Sequence, residues 1–192
     1  MTKSFLNRAI MPILMIVFLS ANCFPQDDNK PLSFGIAAGY FASSDQDLKD
    51  LYGPGAFVYG GTIGYNIAVK WELLASINFY SDEGKTTLTQ EPIKLSLTHL
   101  KFGGYYHFNP AGLDPVVGLG LDVCWINEMN PISDFNDTSI GWFAGIGVET
   151  IFISDIMAAL NITYTNTSSE GDLGEISLGG FHFTFGLKMP VF

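Results

Sequence analysis

The sequence predicts an all-β fold, an eight-stranded antiparallel up-and-down transmembrane β-barrel. About eight stretches alternate apolar and polar residues, as strands with one apolar face do. The connections between these stretches are alternately long and short, and aromatic residues cluster at both ends of the apolar rows. Soluble β-sandwiches are not expected to combine these last two features. A membrane barrel has both, because its turns are short on one side and its loops long on the other, and because aromatic residues lie at both membrane interfaces.

Length and composition fit this fold. The 192 residues suffice for one domain, and 21 glycines with 14% aromatic residues suit strands better than a helical bundle. The chain has 19 acidic and 9 basic residues and a net charge of -10. Nucleic acid is therefore not expected as a partner, because phosphate binding needs clustered Lys and Arg.

The N-terminus has the features of a secretory signal peptide. Lys3 and Arg8 accompany an apolar run at residues 9–19, which is too short to span a bilayer. We expect residues 1–23 to form the signal peptide and residues 24–192 to form the outer-membrane barrel domain. Removal of the two basic residues changes the net charge from -10 to -12.

The end of the signal peptide has three alternatives. Cleavage follows Ala21, or it follows Cys23, or Cys23 carries a lipid anchor. Asn22 disfavours the anchor, because the usual lipobox has Gly, Ala or Ser just before the cysteine. If the signal peptide ends at Cys23, Cys124 is the one remaining cysteine, and no intramolecular disulfide is expected.

The first four strands are predicted at residues 33–41, 55–65, 70–80 and around 99–108, with the apolar member of each alternation facing lipid. The third is the clearest, because Glu72 alternates with Trp71 and Leu73 along the strand. A carboxylate is costly in lipid, so Glu72 must face inward and its two neighbours outward. The predicted outward rows are Phe34, Ile36, Ala38 and Tyr40; Phe57, Tyr59 and Ile63; Trp71, Leu73, Ala75, Ile77 and Phe79; and Leu100, Phe102, Gly104, Tyr106 and Phe108.

The last four strands are predicted from residue 115 onward and at 140–149, 156–164 and 181–189. Glycine is frequent in their inward rows, which thins the inner wall of the barrel. Their outward rows are Val117, Leu119, Leu121 and Val123; Ile140, Trp142, Ala144, Ile146 and Val148; Ile156, Ala158, Leu160, Ile162 and Tyr164; and Phe181, Phe183, Phe185, Leu187 and Met189.

The connections predict the orientation of the barrel. Long polar connections are expected at residues 42–54, 81–92, 125–138 and 166–175, and short ones at 66–69, 109–114 and 151–154. Extended extracellular loops and tight periplasmic turns alternate in this way when both termini lie in the periplasm. Each of the four long connections carries several carboxylates.

A barrel of eight strands has an interior that side chains fill or that holds one small ligand. The inward charged residues predict a polar network in the lumen, formed by Glu72, Lys101, Asp122, Glu149 and Lys188. If the turn at 109–114 is symmetric, Lys101 lies opposite Asp122, which predicts a cross-strand ion pair. The other three are expected to share charge in the periplasmic third.

The sequence indicates no catalytic residue, metal site or cofactor, and we do not expect an enzyme. His99, His107 and His182 have no spacing that suggests a zinc site. The glycine pairs at 118–120 and 145–147 lie within strands, with no helix after them, so they are not nucleotide-binding loops.

Two segments carry a family resemblance: LKFGGYYHFNPAGLDPVVGLGLDV at 100–123 and FHFTFGLKMPVF at 181–192. They resemble the small outer-membrane β-barrel proteins of Gram-negative bacteria, the OmpA/OmpX/OmpW-type group. The resemblance implies an integral protein of the bacterial outer membrane, in contact with lipid and lipopolysaccharide. It also implies that the barrel-assembly machinery reads a terminal aromatic residue, here Phe192, as its assembly signal.

Two functions remain open from the sequence. The first is a structural or surface-interaction role, in which the acidic extracellular loops meet an unidentified extracellular protein or small-molecule ligand. The alternative is a small passive channel for ions or small apolar compounds. The inner glycines leave room for such a channel unless Tyr105 and Phe143 occupy the space.

Overall fold

The computed structural model describes residues 31–85, 91–110, 112–129, 134–153, 155–171 and 174–191. Its closed barrel of eight antiparallel strands confirms the predicted fold class. The predicted signal peptide and Phe192 lie outside the described residues. No helix within the described residues has the length and apolar character needed to cross a bilayer.

The described residues form ten strands and one helix. β1 to β7 and β10 form the barrel, which closes where β1 pairs with β10, and β8 and β9 form a separate hairpin. In chain order the elements are β1 (Leu32–Ser43), α1 (Gln46–Tyr52), β2 (Ala56–Ala68), β3 (Trp71–Lys85), β4 (Pro92–His107), β5 (Asp114–Met129), β6 (Asp134–Ile153), β7 (Ile156–Asn166), β8 (Ser168–Gly171), β9 (Gly174–Ser177) and β10 (Gly180–Val191).

The predicted faces of the strands are confirmed. Outward apolar side chains cover the barrel surface, with Ile36 70% exposed and Leu119 64% exposed, whereas the inward His99 and Asp122 are fully buried. Aromatic side chains contact each other across strands at this surface, as between Trp142 and Tyr164. The outer surface therefore suits lipid and the inner surface is polar or glycine-rich.

The two ends of the barrel differ. We call the end that carries α1 and the β8–β9 hairpin the loop end, and the other the turn end. At the loop end β3 to β6 extend beyond their neighbours, since pairing continues to Lys85 opposite Pro92 and to Met129 opposite Asp134. These extensions (residues 80–85, 92–98, 125–129 and 134–139) are named the tall wall. The loops predicted at 81–92 and 125–138 are thus wrong in extent.

The reason for this error is that the apolar row of β4 passes from the outer face to the inner face of the strand. In the barrel, β4 places the apolar Leu100 outward and His99 inward, but in the tall wall Leu95 and Leu97 point inward and are buried. Lys94 and Thr98, which flank these leucines in the sequence, point outward. An apolar inner row beside polar outer residues is the pattern expected of a sheet whose outer face meets water rather than lipid.

The inner face of the tall wall carries an apolar core at the loop end, which α1 and the segment after β9 cover. α1 begins after the N-cap Asp45 and ends at Gly53, whose φ of 91° suits glycine after a helix. The core consists of Phe41, Leu48, Tyr52, Val58, Tyr80, Ile93, Leu95, Leu97, Cys124, Ile126 and Leu178.

Candidate functional site

Three of the five predicted lumen residues meet near the turn end. The Nζ atom of Lys188 on β10 donates to Oε2 of Glu72 on β3 at 2.7 Å and to Oε2 of Glu149 on β6 at 3.2 Å. All three side chains are more than nine-tenths buried. One ammonium ion therefore lies between two carboxylates that belong to strands far apart in the sheet.

His107 and Asp114, which were not among the predicted lumen residues, join this group. The Nδ1 atom of His107 lies 2.6 Å from Oδ2 of Asp114, and its Nε2 atom lies 3.4 Å from Oε2 of Glu72. We call Glu72, His107, Asp114, Glu149 and Lys188 the turn-end cluster. His107 has the same inward phase as Lys101 on β4, and that phase was the signal available in the sequence.

Lys101 and Asp122 lie higher in the lumen and are directly opposite in the β4–β5 pairing. The predicted ion pair between them is not formed in the described structure. Instead, Nδ1 of His99 donates to Oδ2 of Asp122 at 2.9 Å, and the Thr167 hydroxyl donates to the same oxygen at 2.7 Å. Lys101 is buried in the same part of the lumen, at 4% exposed, so its ammonium ion lies inside the barrel without forming this contact.

His182 completes this upper group. Its ring contacts Phe41 and His99, with centroid distances of 4.6 and 5.1 Å, and neither ring nitrogen has a hydrogen-bond partner. Cys124 is buried and free. Within the described part of the chain, no three His, Cys, Asp or Glu side chains are placed to hold a metal ion.

Aromatic rings fill the lumen between the two groups. Phe143 is fully buried and its ring centroid lies 6.1 Å from that of Tyr105. A Cβ atom at Gly103 or Gly120 would come within 2.7 Å of the Phe143 ring, and one at Gly118 within 2.5 Å of the Tyr105 ring. The inner glycines therefore provide space that these two rings occupy.

The loop end is closed by connected elements, which we call the cap: α1 with the residues before it, and the β8–β9 hairpin with residues 178–179. Asp45 accepts hydrogen bonds from the α1 backbone through Oδ1 and from the Ser177 N–H through Oδ2, at 3.1 Å. The Ser44 hydroxyl donates to the Gly179 carbonyl oxygen at 3.0 Å. The first and last long connections are thereby fastened together.

Replacing Asp45 by Ala is expected to loosen both parts of the cap. It removes the N-cap of α1 and the acceptor for Ser177, which together should accelerate hydrogen exchange of the α1 amides and of Ser177 about tenfold. Exchange measured by mass spectrometry on the purified barrel checks this. Asp47→Ala, a carboxylate in the first turn, is the control. Equal effects of the two variants would contradict a special role for Asp45.

The sequence profile of the outer membrane protein beta-barrel domain family matches residues 11–188. The chain belongs to this family. Membership makes the protein an integral outer-membrane barrel with its apolar outer surface in lipid, and this agrees with the exposed apolar rows on all eight barrel strands.

Solved structures of other small outer-membrane proteins share the fold of this outer membrane protein beta-barrel domain. Neisserial surface protein A is 14% identical, with a TM-score of 0.63 over 83% of this chain and 97% of that one. OprG of Pseudomonas aeruginosa is 13% identical, with a TM-score of 0.58 over 85% and 98%. The N-terminal barrel domain of OprF from the same species is 23% identical, with a TM-score of 0.52 over 82% and 96%. No curated protein matches the chain significantly.

Proposed function

We propose that this protein is a non-enzymatic outer-membrane barrel with a structural or surface-interaction role, and that its loop end makes the functional contacts. The filling of the lumen carries this proposal. Phe143 and Tyr105 occupy the space that the inner glycines leave, and the turn-end cluster lies below them. The cap covers the apolar core above them.

We also propose how the chain is processed and oriented in the outer membrane. Residues 1–23 are the signal peptide and residues 24–192 the barrel domain, with both termini in the periplasm and the loop end outside the cell. The short turns at one end and the acidic, elaborated connections at the other support this orientation. Lipopolysaccharide surrounds the outer half, and the barrel-assembly machinery reads Phe192.

A second candidate function is a passive channel for small apolar compounds or ions. The apolar core at the loop end favours it, because an apolar compound entering there would meet Leu95, Leu97 and Ile126 rather than charged groups. This function requires the cap to open and the rings of Phe143 and Tyr105 to move aside.

Planar-bilayer conductance distinguishes the two functions. We expect the refolded protein to be electrically silent, because side chains occupy the lumen at three levels. These are the turn-end cluster, the rings of Phe143 and Tyr105, and the apolar core at the loop end. Its folded state is verified first by the electrophoretic mobility shift of intact barrels. Reproducible discrete steps from the wild type, enlarged by Phe143→Ala, would overturn the proposed role in favour of a channel through the lumen.

A further inference from the structure

His107 joins two turns at the turn end of the barrel. Its backbone N–H donates to the carbonyl oxygen of Lys70 at 2.9 Å, in the turn between β2 and β3. Its ring contacts Oδ2 of Asp114, and Oδ1 of the same carboxylate accepts the Asn109 N–H at 2.8 Å, in the turn between β4 and β5. His107 is 8% exposed. One buried residue therefore links both turns to the lumen.

Both ring nitrogens of His107 face carboxylate oxygens. Nδ1 lies 2.6 Å from Oδ2 of Asp114 and Nε2 lies 3.4 Å from Oε2 of Glu72, and the described residues offer the ring no other hydrogen-bond partner. A neutral imidazole has one N–H donor and one acceptor, so it would direct a lone pair at one of these carboxylates. The separation of 2.6 Å is as short as hydrogen bonds between oppositely charged groups are. The geometry therefore favours a ring that carries a proton on each nitrogen.

The charges of the turn-end cluster favour the same state. The cluster has three carboxylates, those of Glu72, Asp114 and Glu149, and one ammonium ion, that of Lys188. With a neutral His107, two negative charges would stay uncompensated among side chains that are at least nine-tenths buried. An imidazolium ion reduces this excess to one charge. Because an unpaired buried charge is costly, the second proton on the ring stabilises the folded cluster.

The groups around the cluster do not compete for this proton. On β1 the Ser33 hydroxyl donates to Oε1 of Glu72 at 3.1 Å. Tyr105, the preceding inward residue of β4, has a phenol, which is neutral at neutral pH. The ammonium ion of Lys70 lies outside the barrel, 6.0 Å from the centroid of the Tyr106 ring. The positions of β2 and β7 that pair with cluster residues are Asn66, Met157 and Ala159. His107 is therefore the member of the turn-end cluster whose ordinary titration range lies near neutral pH.

We propose that His107 is an imidazolium ion that serves as a pH-sensitive latch for the turn end. Its Nδ1–H donates to Asp114 and its Nε2–H donates to Glu72, which fixes both turns to the lumen network. When the pH rises, one of these protons passes to water, and a lone pair then faces a carboxylate. That contact becomes repulsive, so the two turns loosen together. The cap at the loop end has its own hydrogen bonds and is not released, so the latch is independent of the role proposed for the loop end.

Nitrogen-15 NMR of the labelled full barrel in detergent micelles tests the latch. At pH 7 we expect both ring nitrogens of His107 to show the chemical shifts and directly bonded protons of an imidazolium ion, with the His107→Gln spectrum assigning these signals. On raising the pH, the ring signals should change with the same midpoint as the backbone-amide signals of Trp71 and Asn109, one beside each turn. The amide of Ser177 in the cap should not follow this midpoint.

Carboxylate variants separate direct contact from general attraction. Asp114→Asn and Glu72→Gln should each lower the proton affinity of His107 about tenfold or more, because each removes a negative charge that contacts the ring. Glu149→Gln is the matched control, since it removes the same charge from the same cluster, where Glu149 contacts Lys188 rather than the ring. Its effect should be smaller.

Three results would overturn the latch. The first is an unprotonated ring nitrogen of His107 in the wild type at pH 7, which would place the proton on a carboxylate or leave it absent. The second is a midpoint of the turn amides that differs from that of the ring. The third is an equal effect of Glu149→Gln and Asp114→Asn. The first two are read from the wild type, so a variant that fails to fold does not remove the test.

Discussion

Replacing Lys188 by Met is expected to destabilise the barrel by about 3–5 kcal/mol, the usual cost of removing one partner from a buried ion pair. Met has a similar length and no charge, so the carboxylates of Glu72 and Glu149 would remain buried without the ammonium ion that lies 2.7 and 3.2 Å from them. Urea unfolding in lipid vesicles, followed by the mobility shift of the folded barrel, measures the loss.

The exposed Lys94→Met is the control for this variant, because it removes the same charge from the outer face of the tall wall and should leave stability unchanged. Adding Glu72→Gln to Lys188→Met should restore part of the lost stability, because it removes one of the two buried carboxylates that have lost their ammonium partner. If Lys188→Met were as stable as Lys94→Met, the turn-end cluster would contribute nothing to folding.

The sequence predicts the face of each of these residues but not their meeting. Alternation assigns Glu72, Glu149 and Lys188 to the inside, because the period of a strand is two. Their strands are β3, β6 and β10, and none of these pairs with another of the three. Their contact depends on how far each strand is shifted along its neighbours around the closed barrel, and alternation carries no information about this shift.

Short-range register is easier to predict than side-chain partners. The turn at 109–114 correctly places Lys101 opposite Asp122. Which donor reaches the Asp122 carboxylate depends on side-chain length and on neighbours such as Thr167, which is 45 residues away in the chain. The sequence contains His99 in the same inward row, but nothing in the pattern ranks it above Lys101.

The tall wall and the cap are also parts of the fold that the sequence pattern does not predict. Ile93, Leu95 and Leu97 alternate as clearly as any membrane row, but with their apolar members on the inner face, so a search for outward apolar rows ends too early. α1 has seven residues, too few for a helical period to stand out. The bond from Ser177 to Asp45 joins residues 132 apart, and no local pattern indicates it.

Gly103→Val is expected to have the second large effect, a loss of about 3 kcal/mol or more with a lower yield of folded barrel. A Cβ atom at Gly103 would overlap the Leu119 carbonyl oxygen and approach Cζ of Phe143 to 2.7 Å. The carbonyl belongs to the backbone of β5, so the clash cannot be relieved by a side-chain rotation. Unfolding in lipid vesicles gives the size of the loss.

Gly104→Val is the matched control, because it places the same side chain one residue further along β4, where a Cβ would meet nothing within 4 Å. Gly104 has the outward phase, so the added valine enters lipid and should leave stability unchanged or slightly raised. Phe143→Ala in the Gly103→Val background separates the two causes. Recovery would assign the loss to the Phe143 ring, and no recovery would assign it to the β5 backbone. Equal stability of Gly103→Val and Gly104→Val would contradict the filled lumen on which the proposed role depends.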